Sequence, residues 1–448
     1  MKLFDNKDNL MTQGSIAKKI ILFAIPIFIG QLFEMLYSIV DALIVGNLIG
    51  SGALAAVSAT GTLIFLVIGF FFGFSMGAGI VIAREIGAQN KENVSKAVHT
   101  AVAMGLCFST VITILGVTLS PFMLKLMGTP TEVFPEAVTY MRIYFAGCGG
   151  LIMYDTFIGI LQASGDSKHP LIYLITSSMI NVVLDVIFVA VFKMGVGGAA
   201  LATIVAQYIS MFLSLRKLVK SDEIFKIELS KVRFHFSTLK EIVKFGFPTA
   251  IQGSIIDLAN LMIQSYVNSF GKDAMAGVGA YSKLEGFAFM PVIAFSMAMS
   301  TYISQNLGAG RKDRVKKGMR FGLASTVISI EIIGLLVFLL APILIKAFNS
   351  DPEVVSFGVQ RARTTALFFC LLGFSNVTSS IMRGLGKPTA PMLTMLICWC
   401  AVRVIVFMTI GRIYHEYFLT CWIYPITWAM SSIVYLILFK IYKKQGVY

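Results

Sequence analysis

The chain has 448 residues, of which 57% are hydrophobic and only 13% are charged, and its mean hydropathy is +0.81. Soluble domains carry about 25% charged residues, so this composition excludes a water-soluble protein and favours a chain solvated mainly by lipid. The formal net charge of +14 would indicate nucleic-acid binding in a soluble protein, but here its meaning depends on where the basic residues lie.

Twelve segments of the chain are long and apolar enough to cross a membrane as helices, which needs about 20 mostly apolar residues. They are continuous apolar runs rather than the short alternating segments of a membrane β-barrel. The predicted fold class is therefore an all-α integral membrane protein. The polar start lacks a convincing cleavage site, so we expect the first span to be retained. The predicted spans are 20–48, 53–83, 97–119, 135–161, 170–192, 197–218, 242–269, 275–304, 319–347, 356–383, 388–411 and 418–441.

The basic residues between the spans predict the orientation of the chain. If the N-terminus is cytoplasmic, the inner segments carry 27 Lys and Arg residues and the outer loops carry five. Because basic residues accumulate on the cytoplasmic side, this distribution predicts a multi-pass protein of the cell membrane with both termini in the cytoplasm. The positive charge is then explained by topology, and we expect no nucleic-acid partner.

The two halves of the chain resemble each other. Each half holds six predicted spans, an even number, so both halves enter the membrane from the same side and form a parallel repeat. We therefore predict an N-terminal six-helix lobe at 1–215, a basic cytoplasmic linker at 216–241 and a C-terminal six-helix lobe at 242–448. A shift of 221 residues, or 222 near the start, relates Gly87 to Gly308, Arg142 to Arg363, Pro170 to Pro391 and Pro26 to Pro248.

No pattern in the sequence predicts catalysis. There is no G-x-x-x-x-G-K-[ST] motif for a nucleotide phosphate, no Ser/His/Asp or paired-carboxylate hydrolase grouping, and the four histidines are scattered. We predict a chain with no catalytic residues and no cofactor, which is not an enzyme.

Polar residues inside the first half predict an ion site. Asp41 in span 1, Asn181 and Asp185 in span 5, and Thr203 in span 6 lie at similar membrane depth. Asn181 and Asp185 are four residues apart and share a helix face. An ionisable residue at this depth is costly and is a functional candidate. Two carboxylates, an amide and a hydroxyl are suited to bind a shared proton or an oxygen-coordinated cation such as Na⁺.

Other intramembrane residues are candidates for the substrate cavity and for helix bending. Proline removes a helical hydrogen bond, so Pro26 in span 1 is a possible kink or gating point and a static bend is the alternative; we assign the same role to its repeat partner Pro248. In the second half, a structural ion pair with Lys283 competes with a transport role for the acidic residues, among which Glu331 is a weaker candidate. The predicted cavity residues are Glu34, Tyr37, Gln207, Asp257 and Glu285.

These features together resemble the multidrug and toxic compound extrusion (MATE) family. The resemblance lies in the twelve spans in two lobes, the stretches Ala24-Ile25-Pro26 and Val40-Asp41-Ala42-Leu43-Ile44-Val45-Gly46, the following Ala53-Leu54-Ala55-Ala56-Val57, and the duplicated Gly-Ala motif. The pattern formed by Asn181, Asp185 and Thr203 resembles the polar cluster of the DinF-like branch. The resemblance implies that this N-lobe cluster couples to H⁺ or Na⁺ and that span 1 bends at its proline. Span 10 lacks the mid-span carboxylate of the NorM-like branch, and this difference favours the N-lobe as the coupling site.

The predicted function is that of a secondary antiporter. It would export organic cationic or amphiphilic compounds in exchange for H⁺ or Na⁺ by alternating access, act as a monomer in the lipid bilayer and contribute to antibiotic resistance. The added negative charge of Glu34 fits cationic substrates. The alternative within transport is a flippase of the same superfamily for lipid-linked glycans or other amphiphiles. A membrane sensor or scaffold is the alternative outside transport.

Overall fold

The computed structural model describes residues 10–448, apart from the side chains of residues 51 and 62. This part of the chain is helical and contains no β-strand. The helices of the first half are α1 Ile16–Leu48, α2 Ser51–Gly87, α3 Lys91–Leu126, α4 Phe134–Gly147, α5 Gly149–Ala163, α6 Lys168–Asp185 and α7 Gly195–Val219. Those of the second half are α8 Phe236–Asn268, α9 Lys272–Gly308, α10 Lys312–Lys346, α11 Pro352–Ala366, α12 Phe369–Gly384, α13 Thr389–Met395, α14 Val402–Met408, α15 Ile410–Ile413 and α16 Tyr417–Lys444.

The helices account for the twelve predicted spans. Nine helical segments among the described residues are long and apolar enough to cross a membrane. The count becomes eleven when α4 with α5 and α11 with α12, which are bent by 46° and 58°, are each taken as one span. The twelfth is α8, which is long enough but more polar. The all-α fold class with two six-span halves is thus confirmed.

Several helix ends follow from local chemistry that recurs in both halves. Asn90 precedes α3 and its side chain accepts a hydrogen bond from the backbone N–H of Asn93 at 3.1 Å. Asp351 caps α11 through a bond that its side chain accepts from the backbone N–H of Glu353. Between the first two spans of each half stand Gly50 (φ 125°) and Gly271 (φ 94°), which are 221 residues apart. Positive φ is accessible to glycine at little cost, so the same tight reversal is built twice.

The chain packs as two compact units whose boundaries fall inside helices. One unit is formed mainly by Ile29–Ala250 and the other by Met11–Phe28 with Ile251–Tyr448. The boundaries therefore lie two residues after Pro26 in α1 and two residues after Pro248 in α8. The lobe and linker boundaries proposed from the sequence stay a prediction.

Within the first unit, glycines allow α2 to approach the first part of α8 closely. A Cβ atom at Gly73 would overlap the backbone of Ala250, and one at Gly77 would overlap the backbone of Gly246. At Gly69, one turn earlier, a Cβ would meet nothing within 4 Å. Small residues at a helix interface permit such backbone contact in membranes. The stripe of glycines thus serves packing at two of its three positions.

Long apolar side chains point away from the interior of each unit. On α10, one face exposes Ile328, Ile332, Leu335, Leu339 and Ile343, each at 50% or more of its surface. An apolar stripe of this length would be costly in water but matches the hydrocarbon core of a bilayer.

Candidate functional site

The four polar side chains predicted from the sequence to form an ion site lie together in the first unit. Asp41 comes from α1, Asn181 and Asp185 from the end of α6, and Thr203 from α7. Asn181 and Asp185 are 1% and 0% exposed, Thr203 is buried and Asp41 is half-buried. The carboxyl groups of Asp41 and Asp185 lie within hydrogen-bonding reach of each other.

Hydrogen bonds join α6 to α7 at this cluster. With its amide oriented to satisfy both neighbours, Asn181 donates from Nδ2 to Asp185 Oδ2 at 3.0 Å and accepts from the backbone N–H of Thr203 at 3.1 Å. The Thr203 hydroxyl donates to the backbone carbonyl of Ala199 at 3.1 Å. The Oδ1 atoms of both aspartates are buried and have no hydrogen-bond partner among the described residues. Each carboxyl group therefore has a buried oxygen without a hydrogen-bond donor in the described part of the chain. A proton bound between the two groups would supply one.

Backbone and aromatic neighbours complete the cluster. A π-helical turn, Val186–Val191, begins directly after Asp185, and such widened turns occur often at functional sites. The Tyr37 hydroxyl lies close enough to Thr203 to interact with it. Tyr140 on α4 is buried close to Asp41 and Asp185. Sequence inspection missed Tyr140, because an aromatic residue in an apolar span carries no signal of its own.

A second acidic pair lies in the same unit. Glu34 is exposed and accepts a hydrogen bond from Gln31 at 3.2 Å, and Asp155 on α5 is close enough to interact with it electrostatically. Asp155 borders a small cavity that is also lined by Phe71, Phe74, Phe108 and Thr156. Asp155 was missed although the signal was available, since it is an ionisable residue inside the predicted span 135–161.

Gln207 lies one turn after Thr203 on α7 and is half-buried. Its Oε1 atom has no hydrogen-bond partner in the part of the chain that the structure describes. This acceptor is therefore available in the first unit.

In the second unit, Glu285 does not have the neighbour that we considered from the sequence. Glu285 is half-buried and interacts with the Tyr281 hydroxyl and with the buried Arg361 and Arg403. Lys283 is exposed, and it belongs to none of the ion pairs found among the described residues. The pairing with Lys283 considered from the sequence is thus not observed.

The remaining candidate residues either lie apart from Glu285 and its two arginines or have a structural role. Asp257 is half-buried on α8, near Cys400. Glu331 on α10 accepts a hydrogen bond from the backbone N–H of Cys370 at 2.7 Å, at the start of α12. That bond satisfies a backbone donor left open by the bend between α11 and α12. Pro26 and Pro248 each lie within an uninterrupted helix.

Comparison with known proteins identifies the family. The MatE family model matches the chain twice, at residues 26–187 and 248–409, which is more than half of its length. The chain belongs to the MATE family. The repeated match agrees with the internal repeat, and MATE proteins are transporters, so this chain is a multi-pass membrane transporter of small molecules and not an enzyme.

Relatives and solved structures of MATE proteins cover nearly the whole chain. The probable multidrug resistance protein YpnP of Bacillus subtilis is 29% identical over 90% of this chain and 89% of its own length. The FAD transporter of Shewanella oneidensis is 24% identical over 77% of each chain. A MATE crystal structure in the bent conformation matches with a TM-score of 0.89 and 22% identity, covering 100% of this chain and 98% of the other. At that identity the structural match shows the fold alone.

Proposed function

We propose that this chain exports organic cations across the cell membrane in exchange for protons, by alternating access. The observation that carries the proposal is the contact between the Asp41 and Asp185 carboxyl groups. Two carboxylates in contact cannot both stay ionised in an apolar environment, so they favour one shared proton. The multidrug resistance name of the relative YpnP supports drug-like substrates, and the relative named FAD transporter indicates that MATE substrates are diverse.

The hydrogen bonds of the cluster favour H⁺ over Na⁺ as the coupling ion. Na⁺ is bound by oxygen atoms, as are other hard cations. In this arrangement the Asn181 oxygen already accepts from Thr203, and its nitrogen faces Asp185. The Thr203 hydroxyl donates to the backbone carbonyl of Ala199 and has Tyr37 close by. A sodium site at Asp41, Asn181, Asp185 and Thr203 would require the amide to rotate, whereas a proton requires no rearrangement.

The substrate class is inferred from the acidic and aromatic residues of the first unit. Glu34 and Asp155 supply negative charge, and the cavity beside Asp155 is lined by phenylalanine rings. Aromatic faces attract organic cations, and carboxylates complement their charge. We infer that Tyr37 and Gln207, which lie close to the coupling cluster, contribute to the same binding region.

Helix bending is the proposed link between the proton and the substrate. Asp41 and Pro26 lie on the same helix, and the boundary between the two compact units crosses α1 just after Pro26. α8 is divided in the same way after Pro248. Because proline leaves a helical carbonyl without its donor, these are the points where each helix bends most easily. We also propose that both termini lie in the cytoplasm, on the basis of the 27-to-5 distribution of basic residues, and that the chain acts as a monomer.

Dye efflux from proteoliposomes tests the coupling ion directly. A pH gradient and a Na⁺ gradient are imposed separately on vesicles that contain the full chain and the cationic dye ethidium. The proposal predicts efflux with the pH gradient and only leakage with the Na⁺ gradient. Efflux driven by Na⁺ alone would assign the cluster to sodium, and equal leakage under both gradients would refute coupled export of this cation.

A further inference from the structure

A second group of buried charges lies in the second unit and is basic. Arg361 on α11 and Arg403 on α14 are 4% and 2% exposed. The guanidinium carbons lie 4.6 Å and 4.2 Å from the centre of the Tyr424 ring, so the two arginines share one aromatic face region. Arg403 also lies 5.3 Å from the Trp399 ring. Two buried cations thus lie against the same aromatic side chains.

The hydrogen bonds of these arginines are incomplete. Arg403 donates from Nε to the Thr427 hydroxyl at 2.9 Å, and Arg361 donates from Nη1 to the backbone carbonyl of Thr420 at 3.5 Å. Arg361 Nε and Arg403 Nη2 are buried without a hydrogen-bond partner among the described residues. A guanidinium stays protonated in proteins, so these donors cannot be relieved by loss of a proton. The group therefore offers two buried donors that have no acceptor among the described residues.

The positive charge of the group is only partly balanced. Glu285 is the carboxylate that interacts with both arginines. No ion pair within 4.0 Å includes Arg361 or Arg403 in the described part of the chain. Two cations and one carboxylate leave an excess positive charge away from water, which is costly unless a further anion pairs with it.

The internal repeat relates this group to the acidic cluster of the first unit. The 221-residue shift that connects Arg142 to Arg363 also connects Tyr140 to Arg361 and Thr203 to Tyr424. Tyr140 and Thr203 are neighbours of the Asp41–Asp185 pair. Two positions that border the acidic pair in the first unit therefore correspond to members of the basic group in the second unit.

We propose that Arg361 and Arg403 bind the carboxylate or phosphate group of an organic anion, whose ring packs against the neighbouring aromatic side chains. The planar fork of arginine matches both groups, and the unpartnered Nε and Nη2 atoms supply the donors. Beside the buried arginines, Glu285 and Tyr424 are only half-buried, so the group is not wholly enclosed. The proposal depends on the proposed export function only where it makes organic anions a second class of transported substrate. Binding of the anion needs no gradient and can be tested separately.

Equilibrium binding of two matched probes tests this site. Purified full-length protein in phosphatidylcholine nanodiscs is titrated calorimetrically with 2-naphthoate and with its neutral counterpart 2-naphthamide. We expect naphthoate to bind about tenfold more tightly, which is the worth of one charge-assisted hydrogen bond. The preference should fall to near unity in Arg403→Gln and Arg361→Gln. The control is Arg363→Gln, which removes an exposed arginine on the same helix and should keep the preference.

Further arms make each result decisive. Glu285→Gln, which removes the competing carboxylate, should strengthen naphthoate binding and gives a test that does not depend on the arginine variants folding. Equal affinity of the wild type for both probes would overturn the proposal, as would loss of the preference in Arg363→Gln. If phosphatidylglycerol in the nanodiscs abolishes naphthoate binding, the site belongs to a lipid headgroup and the solute assignment is wrong. Failure of proton coupling in proteoliposomes would leave all of these results unchanged.

Discussion

Replacing Asp185 by Asn should uncouple transport from the pH gradient while leaving the fold intact. Asp185 is fully buried, contacts Asp41 and accepts from Asn181 at 3.0 Å. Asparagine has nearly the same volume and retains an oxygen to accept from Asn181. Its amide can also donate to Asp41, so the contact between α1 and α6 is kept. What the variant loses is the ability of the pair to take up and release a proton.

The size of the effect follows from the proposal that the pair holds one proton. A difference of one pH unit acting on one proton supplies about 1.4 kcal/mol, which corresponds to a tenfold concentration ratio. Exchange of one proton for one monovalent cation moves no net charge, so the membrane voltage adds nothing to this ratio. The wild type should therefore hold ethidium at about a tenfold ratio across a gradient of one pH unit. The Asp185→Asn protein should hold it at about unity.

The assay measures the steady-state ethidium ratio in proteoliposomes of equal protein content. The control is Asp222→Asn, an exposed aspartate of the segment between α7 and α8, which should keep the wild-type ratio. Asp41→Asn should match Asp185→Asn, and the double variant should be no worse than either, because we propose that both residues hold the same proton. A tenfold ratio retained by Asp185→Asn would refute the assignment of the coupling site.

Three further variants test packing, a loop contact and helix bending. Gly77→Val should lower the melting temperature of the solubilised protein by several degrees, at a cost of about 1–3 kcal/mol for overpacking, whereas Gly69→Val, where the added side chain has free space, should not. Burial raises the pKa of Asp166, but the hydrogen bond and charge of His169 outweigh it and the net pKa is lowered. Asp166→Asn should therefore lower the melting temperature at neutral pH. The difference in melting temperature between the variant and the wild type should shrink below about pH 4, because the wild type loses the same interaction there. A difference in melting temperature that does not change with pH would contradict this. Pro248→Ala restores a helical hydrogen-bond donor, so we expect slower ethidium efflux at unchanged ethidium affinity, and an unchanged rate would show that this bend is static.

The fold was predictable from the sequence because lipid imposes a local rule on the chain. Each span must satisfy its own backbone hydrogen bonds and present an apolar surface, so hydropathy along the chain locates the helices without knowledge of their neighbours. The repeat was equally accessible, since a constant shift needs only residue identities. One feature was not predicted: α4 and α11 end in bends, and at the second bend the open backbone donor of Cys370 is satisfied by Glu331, which is distant in the sequence.

The candidate site was predictable in part, and for a clear reason. Asp41, Asn181 and Asp185 were selected because charge and amide groups are rare at membrane depth and because helical spacing fixes which of them share a face. Asp155 met the same criterion and was overlooked. Tyr140 could not have been selected in this way, since its proximity to Asp41 depends on how α4 is rotated about its axis.

The sequence by itself determined that lipid surrounds most of the chain, how many spans it has, that its two halves are duplicated and which charged residues lie within the spans. The tertiary structure decided which charged groups interact: Asp41 with Asp185, and Glu285 with Arg361 and Arg403 instead of the nearby Lys283. It also decided that α1 and α8 each divide between two units just after a proline. The reason is that hydropathy and spacing are properties of one segment, whereas electrostatic partners are chosen by the rotation and packing of helices far apart in the chain.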